Sequence, residues 1–198
     1  NQINEILKNE NYSRIIVWRS PFGWDVPLFQ RPQHIARQFA RKDCLVFYEI
    51  TFNTDNVETI GKAEDNLYLV NFENYTISTI LDECLSAQDK PVYIQLYSTN
   101  WSMSGGELEE YQQKGYKILY EYIDDISPEL AGTDEIPEYI LAKYKYAMSH
   151  KEVVVVTTAK QIYEDVVSQR GTDNMVFACN GVDYDFFRDL SKGHKIEN

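Results

Sequence analysis

Short apolar runs of strand length recur along the chain, and polar segments with helical periodicity separate them. Several runs are apolar almost throughout, which is typical of strands covered on both faces, as in a parallel sheet. The pattern predicts strands at residues 14–20, 44–50, 66–72, 91–98, 116–124, 152–158 and 175–180.

Helix signals lie between these strands. Pro32 suits the first turn of a helix, where its missing N–H is not needed, and an apolar face follows it through residue 42. Ser104 with Glu107, and Thr158 with Gln161, have the spacing of capping boxes, in which two residues satisfy each other's backbone donors. Apolar stripes predict further helices at 137–150 and from 158 to 166.

Strands that alternate with helices predict βαβ units with right-handed crossovers, and hence an α/β fold with a doubly wound, mostly parallel sheet. Ligands of such sheets bind outside the carboxyl ends of the strands, where the strand order reverses. We expect one domain over residues 14–190, a frayed helical lead-in at 1–13, and an interdomain linker or tail beginning at 191–198. The polar segment 51–65 predicts a long loop or a short helix.

The composition and the net charge limit the classes of binding partner and the cellular location that we expect for the protein. With 31 Asp and Glu against 19 Lys and Arg, the net charge of -12 would repel a phosphate backbone, so nucleic acid is not an expected partner. No apolar run approaches the roughly 20 residues that span a bilayer, and we expect a cytoplasmic protein. The three cysteines and three histidines are scattered, and no metal or phosphate-loop motif occurs, so no metal is expected.

The loop at residues 20–34 joins the first strand to the first helix, where backbone N–H groups and the helix dipole favour an anion. Gly23 would allow a phosphate to approach the backbone closely, but nearby prolines are equally compatible with an ordinary rigid turn. Phe22 and Trp24 are candidates either for stacking on a sugar or for covering the core.

Residues 18–49, WRSPFGWDVPLFQRPQHIARQFARKDCLVFYE, resemble the opening of many GT-B fold glycosyltransferases of the large retaining family four. Those proteins often carry a tryptophan-containing loop, an RPQH segment that begins the first helix, and a second strand that ends in an acidic residue. The resemblance continues in the same order through ILYEYIDDISPEL (118–130), the helix at 137–150, EVVVVTTAKQIYEDV (152–166) and VFACNGVDYDFF (176–187).

The resemblance implies a Rossmann-like half of a GT-B fold. It implies the N-terminal, acceptor-binding domain of a nucleotide-sugar-dependent glycosyltransferase in surface polysaccharide or other glycan synthesis. Such enzymes hold the nucleotide-sugar mainly in a C-terminal donor domain, whose pattern does not occur in these 198 residues. We therefore expect a sugar or lipid-linked glycan acceptor as the ligand, no other cofactor, and no activity without the donor domain. Many relatives have tandem glycines where this chain has Phe22-Gly23-Trp24, which argues against contact with the donor phosphate.

The residues expected at the site follow from the resemblance and from the carboxyl ends of the strands. Asp124 and Asp125 are the candidate catalytic residues, because a carboxylate there could take a proton from the acceptor; a turn or capping role is the alternative. Candidate acceptor-binding residues are Gly23, Trp24, Asp25, Arg31, His34, Tyr97 and Trp101. Asn180, Gly181 and Asp183 are expected to form an interdomain hinge.

The first helix carries several basic residues and no acidic one. Arg31 and His34, one turn apart, could bind an anionic acceptor or fix the helix to its neighbours. The basic set of residues 31–42 predicts weak peripheral contact with the inner face of a membrane; a solvated helix face is the alternative. Two other functions stay open: a noncatalytic glycan-binding or partner subunit, and a GT-B fold epimerase acting on a nucleotide-sugar.

Overall fold

The computed structural model describes residues 2–8, 12–19, 22–51, 54–101, 103–132, 134–181, 184 and 188. Its strands are β1 (Arg14–Arg19), β2 (Cys44–Glu49), β3 (Ile60–Glu64), β4 (Leu67–Val70), β5 (Val92–Tyr97), β6 (Lys117–Tyr122), β7 (Val154–Thr157) and β8 (Met175–Phe177). Its helices are α1 (Gln2–Leu7), α2 (Arg31–Arg41), α3 (Tyr75–Ser86), α4 (Gly105–Gln113), α5 (Pro128–Ala131), α6 (Glu138–Ser149) and α7 (Lys160–Arg170).

All eight strands belong to one sheet with the order β3-β4-β2-β1-β5-β6-β7-β8. The pairs are parallel except for β3, which runs antiparallel to β4 at the edge. The chain builds outward from β1 in one direction, returns across it, and builds outward from β5 in the other. The predicted doubly wound, mostly parallel sheet is therefore confirmed, and its strand order reverses between β1 and β5.

Both faces of the central strands are covered, which explains their nearly continuous apolar sequence. Every residue of β2 is buried, as is every residue of β1 after Arg14. The larger core cluster lies under α1, α3, α4, α6 and α7. The smaller one contains Ala36 and Ala40 of α2, packed on Trp18 and Tyr48. None of the described helices is long and apolar enough to cross a membrane.

Helix starts agree with the sequence at two places and differ at a third. Pro32 lies in the first turn of α2, as predicted. Ser104 and Glu107 form the predicted capping box of α4, with the Ser104 N–H donating to the Glu107 carboxylate at 2.7 Å. The predicted capping box at Thr158 is wrong, because the Thr158 hydroxyl donates to the Ile123 carbonyl at 2.7 Å instead. A bond to the neighbouring strand end thus replaces the helix cap.

The prediction of a loop or short helix over 51–65 is also wrong in part. Ile60–Glu64 is the edge strand β3, and its register places Ile60 opposite Val70. Only Ile60 of β3 is fully buried, so the strand lacks an apolar signature. Helix α1 buries three apolar side chains in the larger core, while a domain boundary at residue 14 stays a prediction.

Candidate functional site

A buried carboxylate and an arginine meet at the carboxyl edge of the sheet, near the point where the strand order reverses. Glu121 is the second-last residue of β6, and its Oε2 accepts from Arg31 Nε of α2 at 2.9 Å. Its Oε1 accepts from Gln95 Nε2 of β5 at 3.0 Å. Arg31 also donates through Nη1 to Asn180 Oδ1, at 3.2 Å. These contacts tie the start of α2 to β5, β6 and the segment after β8.

Glu121 was not among the residues expected from the sequence. It stands in the apolar run of β6, and only 2% of its surface is exposed. Burial raises the pKa of Glu121, while Arg31 and the hydrogen bonds from Arg31 and Gln95 act in the opposite direction. The sequence signal for Glu121 is a single carboxylate within an apolar strand, because a carboxylate buried there requires a hydrogen-bond or ion-pair partner.

Arg31 and His34 line an open pocket of about 690 Å3 beside this ion pair. Asn180 and Gly181 line it too, and Leu28 and Tyr184 add exposed apolar surface. The structure thus brings together two predicted acceptor-binding residues and two predicted hinge residues. Asp183, the third hinge residue, lies outside the described residues. The hinge role itself stays a prediction.

Tyr97 ends β5 beneath this edge. It is fully buried, and its ring lies against Trp18 at 6.2 Å and Phe22 at 6.3 Å between centroids. Burial, together with the nearby Glu121 charge, raises the pKa of Tyr97, so the hydroxyl remains a hydrogen donor across the physiological range. Because Tyr97 is fully buried, its acceptor-binding role stays a prediction.

The first loop is bound to the protein's own Asp55. One carboxylate oxygen of Asp55 accepts from the N–H of Trp24 at 2.8 Å and of Asp25 at 2.7 Å, and the other accepts from the Thr51 N–H at 2.9 Å. Trp24 packs edge-on against Phe29 and Tyr48. The loop amides that a phosphate would need already bind a carboxylate, which favours the rigid-turn alternative for this loop.

Gly23 is needed because two threonines occupy the space beside it. A Cβ at residue 23 would overlap the Thr54 hydroxyl and lie 2.5 Å from the Thr51 hydroxyl oxygen. The Gly23 carbonyl accepts from the buried Gln33 side chain at 2.6 Å, which ties the loop to α2. The close approach that the sequence suggested is therefore made by the side chains of Thr51 and Thr54.

We expect Gly23→Ala to lower the free energy of unfolding by about 1–3 kcal/mol, the usual range for an overpacked site. Removing the Thr54 hydroxyl with Thr54→Ala should recover part of that loss in the double variant. Urea denaturation of the wild type, both single variants and the double variant measures the coupling. Strictly additive losses would contradict this packing.

The candidate catalytic carboxylates lie in the exposed turn after β6. Asp124 and Asp125 are both exposed, and Asp125 Oδ1 accepts from the Tyr122 hydroxyl at 3.3 Å. Trp101 is 60% exposed in the loop after β5. The catalytic role of the two aspartates and the acceptor role of Trp101 stay predictions.

A buried lysine holds the loop that carries Trp101. Lys143 of α6 is fully buried, and its ammonium donates to the carbonyls of Asn100 and of Met103, the latter at 3.0 Å. Burial lowers the pKa of Lys143 to about 8, and the nearby Glu107 opposes the shift. No local pattern predicts this contact, because Lys143 and its partners are about forty residues apart in the sequence.

The basic face predicted for membrane contact is partly neutralised within the protein. Arg31 pairs with Glu121, and Arg37 pairs with Glu64 of β3. The Arg37 guanidinium also lies 4.7 Å from the Phe29 ring centroid. Pairing cancels much of the attraction that these two cations would have for anionic lipid. The alternative to membrane contact, a solvated helix face whose basic residues pair with acidic neighbours, is therefore the better supported one.

Metal binding has no support within the described residues. No group of three or more His, Cys, Asp or Glu side chains there is arranged to hold a metal ion.

No protein-family model and no curated protein sequence matches this chain. Among solved structures, a chain of sucrose-phosphate synthase from Thermosynechococcus elongatus is similar, with a TM-score of 0.50 and 13% identity. The match covers 91% of this chain and 95% of that chain. It confirms the α/β Rossmann-like fold and agrees with the resemblance to half of a GT-B glycosyltransferase. At this identity it concerns the fold alone.

A second solved structure, Streptococcus suis SuiB bound to S-adenosylmethionine, matches at a TM-score of 0.38 and 12% identity. The match covers 92% of this chain but 50% of that chain. This similarity is too weak to support a conclusion about either fold or ligand.

Proposed function

We propose that this chain is the acceptor-side half of a nucleotide-sugar-dependent glycosyltransferase that works in the cytoplasm in surface polysaccharide or other glycan synthesis. The observation that carries the proposal is the pocket at Arg31 and His34. It lies at the carboxyl edge of a doubly wound sheet, where such folds bind ligands. The fold likeness to a sucrose-phosphate synthase chain supports the enzyme class.

In this proposal, the ion pair with Glu121 and the bond to Asn180 hold the Arg31 guanidinium in one orientation. His34 contributes a second polar group to the same pocket, and Leu28 and Tyr184 offer apolar surface. An acceptor with hydroxyl or anionic groups beside an apolar portion, such as a sugar or lipid-linked glycan, matches that lining. Positioning of this kind contributes by orienting the reacting hydroxyl.

The donor nucleotide-sugar is assigned to a second domain. The backbone amides of Trp24 and Asp25 in the first loop already donate to Asp55, so they are not available to bind a donor phosphate. Asp124 and Asp125 stay the candidate bases in this proposal, because they lie exposed just beyond β6. Any contact with the inner face of a membrane would use the part of the helix at 31–42 not engaged by Glu121 and Glu64.

Nuclear magnetic resonance titration of the isotope-labelled chain tests the proposal. Methyl glucoside and geranyl phosphate serve as acceptor probes, and UDP-glucose and GDP-mannose as donor probes. We expect at least one acceptor probe to shift amide signals around Arg31, His34 and Asn180, and neither nucleotide-sugar to bind with a micromolar dissociation constant. His34→Gln should weaken the acceptor response, whereas His150→Gln, remote in the fold, should not.

Two results would overturn the proposal. Micromolar binding of either nucleotide-sugar to this chain alone would show that the donor site does not need a second domain. Acceptor-induced shifts that are the same in wild type and His34→Gln would show that the pocket at Arg31 is not the acceptor site.

A further inference from the structure

A second cavity lies on the other face of the sheet, between α3 and α4, and we call it the α3–α4 cavity. Its volume is about 190 Å3. Val17 of β1 and Ile94 of β5 line it, with Leu81 of α3 on one side and Tyr111 of α4 on the other. One water molecule needs on the order of 10–15 Å3 of such space. The cavity therefore has room for a small organic molecule.

Arg19 lines this cavity, and one of its N–H donors, Nε, has no hydrogen-bond partner among the described residues. Its surface is 7% exposed, its Nη2 contacts Glu49 Oε1 at 3.1 Å, and its Nη1 donates to the Tyr111 hydroxyl at 3.4 Å. These contacts fix the guanidinium in place. Its buried Nε has no partner among the described residues. An unsatisfied buried N–H favours any ligand that supplies a hydrogen-bond acceptor.

Three more polar groups surround the apolar part of the cavity. The Tyr111 hydroxyl accepts from Arg19, and burial raises the pKa of Tyr111, so the hydroxyl keeps a hydrogen to donate. Glu107 uses Oε2 in the capping box of α4, and the described contacts leave Oε1 available. Ser78 donates to the Tyr75 carbonyl at 3.0 Å and can still accept. The cavity thus offers both donors and acceptors.

The charges around the cavity favour an uncharged ligand. Arg19 is paired with Glu49, and Asp82 is paired with Lys114 at 2.6 Å. The lining therefore holds a guanidinium, on Arg19, and a carboxylate, on Glu107, so an anion is repelled by Glu107 and a cation is repelled by Arg19. A neutral molecule whose hydroxyls both donate and accept satisfies the same groups without either repulsion.

We propose that the α3–α4 cavity binds a small, uncharged, polyhydroxylated molecule of about monosaccharide size. Neighbouring hydroxyls of the ligand accept from Arg19 and Tyr111 and donate to Glu107, while its C–H groups lie on Val17 and Ile94. This site is on the opposite face of the sheet from the Arg31 pocket, and it does not depend on the function proposed for that pocket.

Titration of the isotope-labelled chain with myo-inositol and methyl glucoside as neutral probes tests this site. Glucose 6-phosphate and glucosamine serve as charged probes of similar ring size. We expect the neutral probes to shift amide signals in α3 and α4 with millimolar dissociation constants, and the charged probes to bind at least tenfold more weakly. Tyr111→Phe should weaken neutral binding by about tenfold, which corresponds to losing one hydrogen bond of typical strength.

A blocking variant and a matched control make the result specific. Ser78→Leu places a larger side chain in the lining and should abolish the response, whereas Thr76→Leu, exposed on the same helix, should preserve it. No shift with either neutral probe at about 50 mM, or tighter binding of a charged probe, would overturn the proposal. Shifts confined to the Arg31 pocket would also overturn it, while leaving the proposed acceptor site intact.

Discussion

Glu121→Ala is expected to lower the free energy of unfolding by about 3 kcal/mol, because it removes one side of a buried ion pair and leaves its partners unsatisfied. Arg31 would lose its carboxylate. The fully buried Gln95, whose Oε1 already has no partner among the described residues, would lose the acceptor for its Nε2. Urea denaturation measures the loss.

Three comparisons separate the cost of unsatisfied buried polar groups from the loss of the side chain alone. Glu121→Gln keeps an acceptor for Gln95 and should cost less than Glu121→Ala. The double variant Gln95→Leu with Glu121→Leu replaces both buried polar groups by apolar ones, and it should be more stable than Glu121→Leu alone. Asp125→Asn, in the exposed turn that follows, should leave stability within about 0.5 kcal/mol of the wild type.

The same variants connect stability with the proposed acceptor site. The double leucine variant should keep its fold but lose the anchor of Arg31, so the response of the Arg31 pocket to acceptor probes should weaken. An unchanged response would contradict the positioning role of Glu121. A loss below about 1 kcal/mol in Glu121→Ala would show instead that the ion pair contributes little to stability.

Seven of the eight described strands could be predicted from the sequence because burial on both faces leaves a nearly continuous apolar run. β1 and β2 show this directly. Strand β3 could not be predicted because Ile60 is its only buried residue, so the segment has no apolar pattern. It is recognised as a strand by its pairing with β4. The capping box of α4 was predictable because it is local, whereas Thr158 bonds to Ile123, which is distant in sequence.

The candidate site could be predicted only in part, because several of its contacts join residues that are distant in the sequence. Motif and topology predict Arg31, His34 and Asn180 at the carboxyl edge of the sheet, and the structure brings these three residues to one pocket. Asp55 was overlooked because its segment carries no pattern, and its role arises from amides about thirty residues away. Glu121 has a local signal, a carboxylate within an apolar strand, but its partner Arg31 is set by the fold.

Lys143→Met is expected to remove a pH dependence of stability. Burial lowers the pKa of Lys143 from 10.5 to about 8, so between these values the unfolded chain binds a proton that the folded chain has released. The free energy of unfolding of the wild type should therefore rise with pH across this window, whereas below it both states are protonated and the contribution is constant. From about pH 7.5 to 9.5, the wild type should gain about 2 kcal/mol relative to Lys143→Met.

Urea denaturation of both proteins at several pH values measures this difference, and the subtraction cancels the titration of groups that they share. Glu107 and the Tyr139 ring, 4.9 Å from the Lys143 ammonium, are unchanged in the variant. Lys145→Met, on the exposed part of the same helix, should follow the wild-type profile. Because Lys143 holds the Asn100 and Met103 carbonyls, Lys143→Met should also increase amide hydrogen exchange in the loop that carries Trp101. Parallel pH profiles for the wild type and Lys143→Met would contradict the buried, proton-releasing lysine.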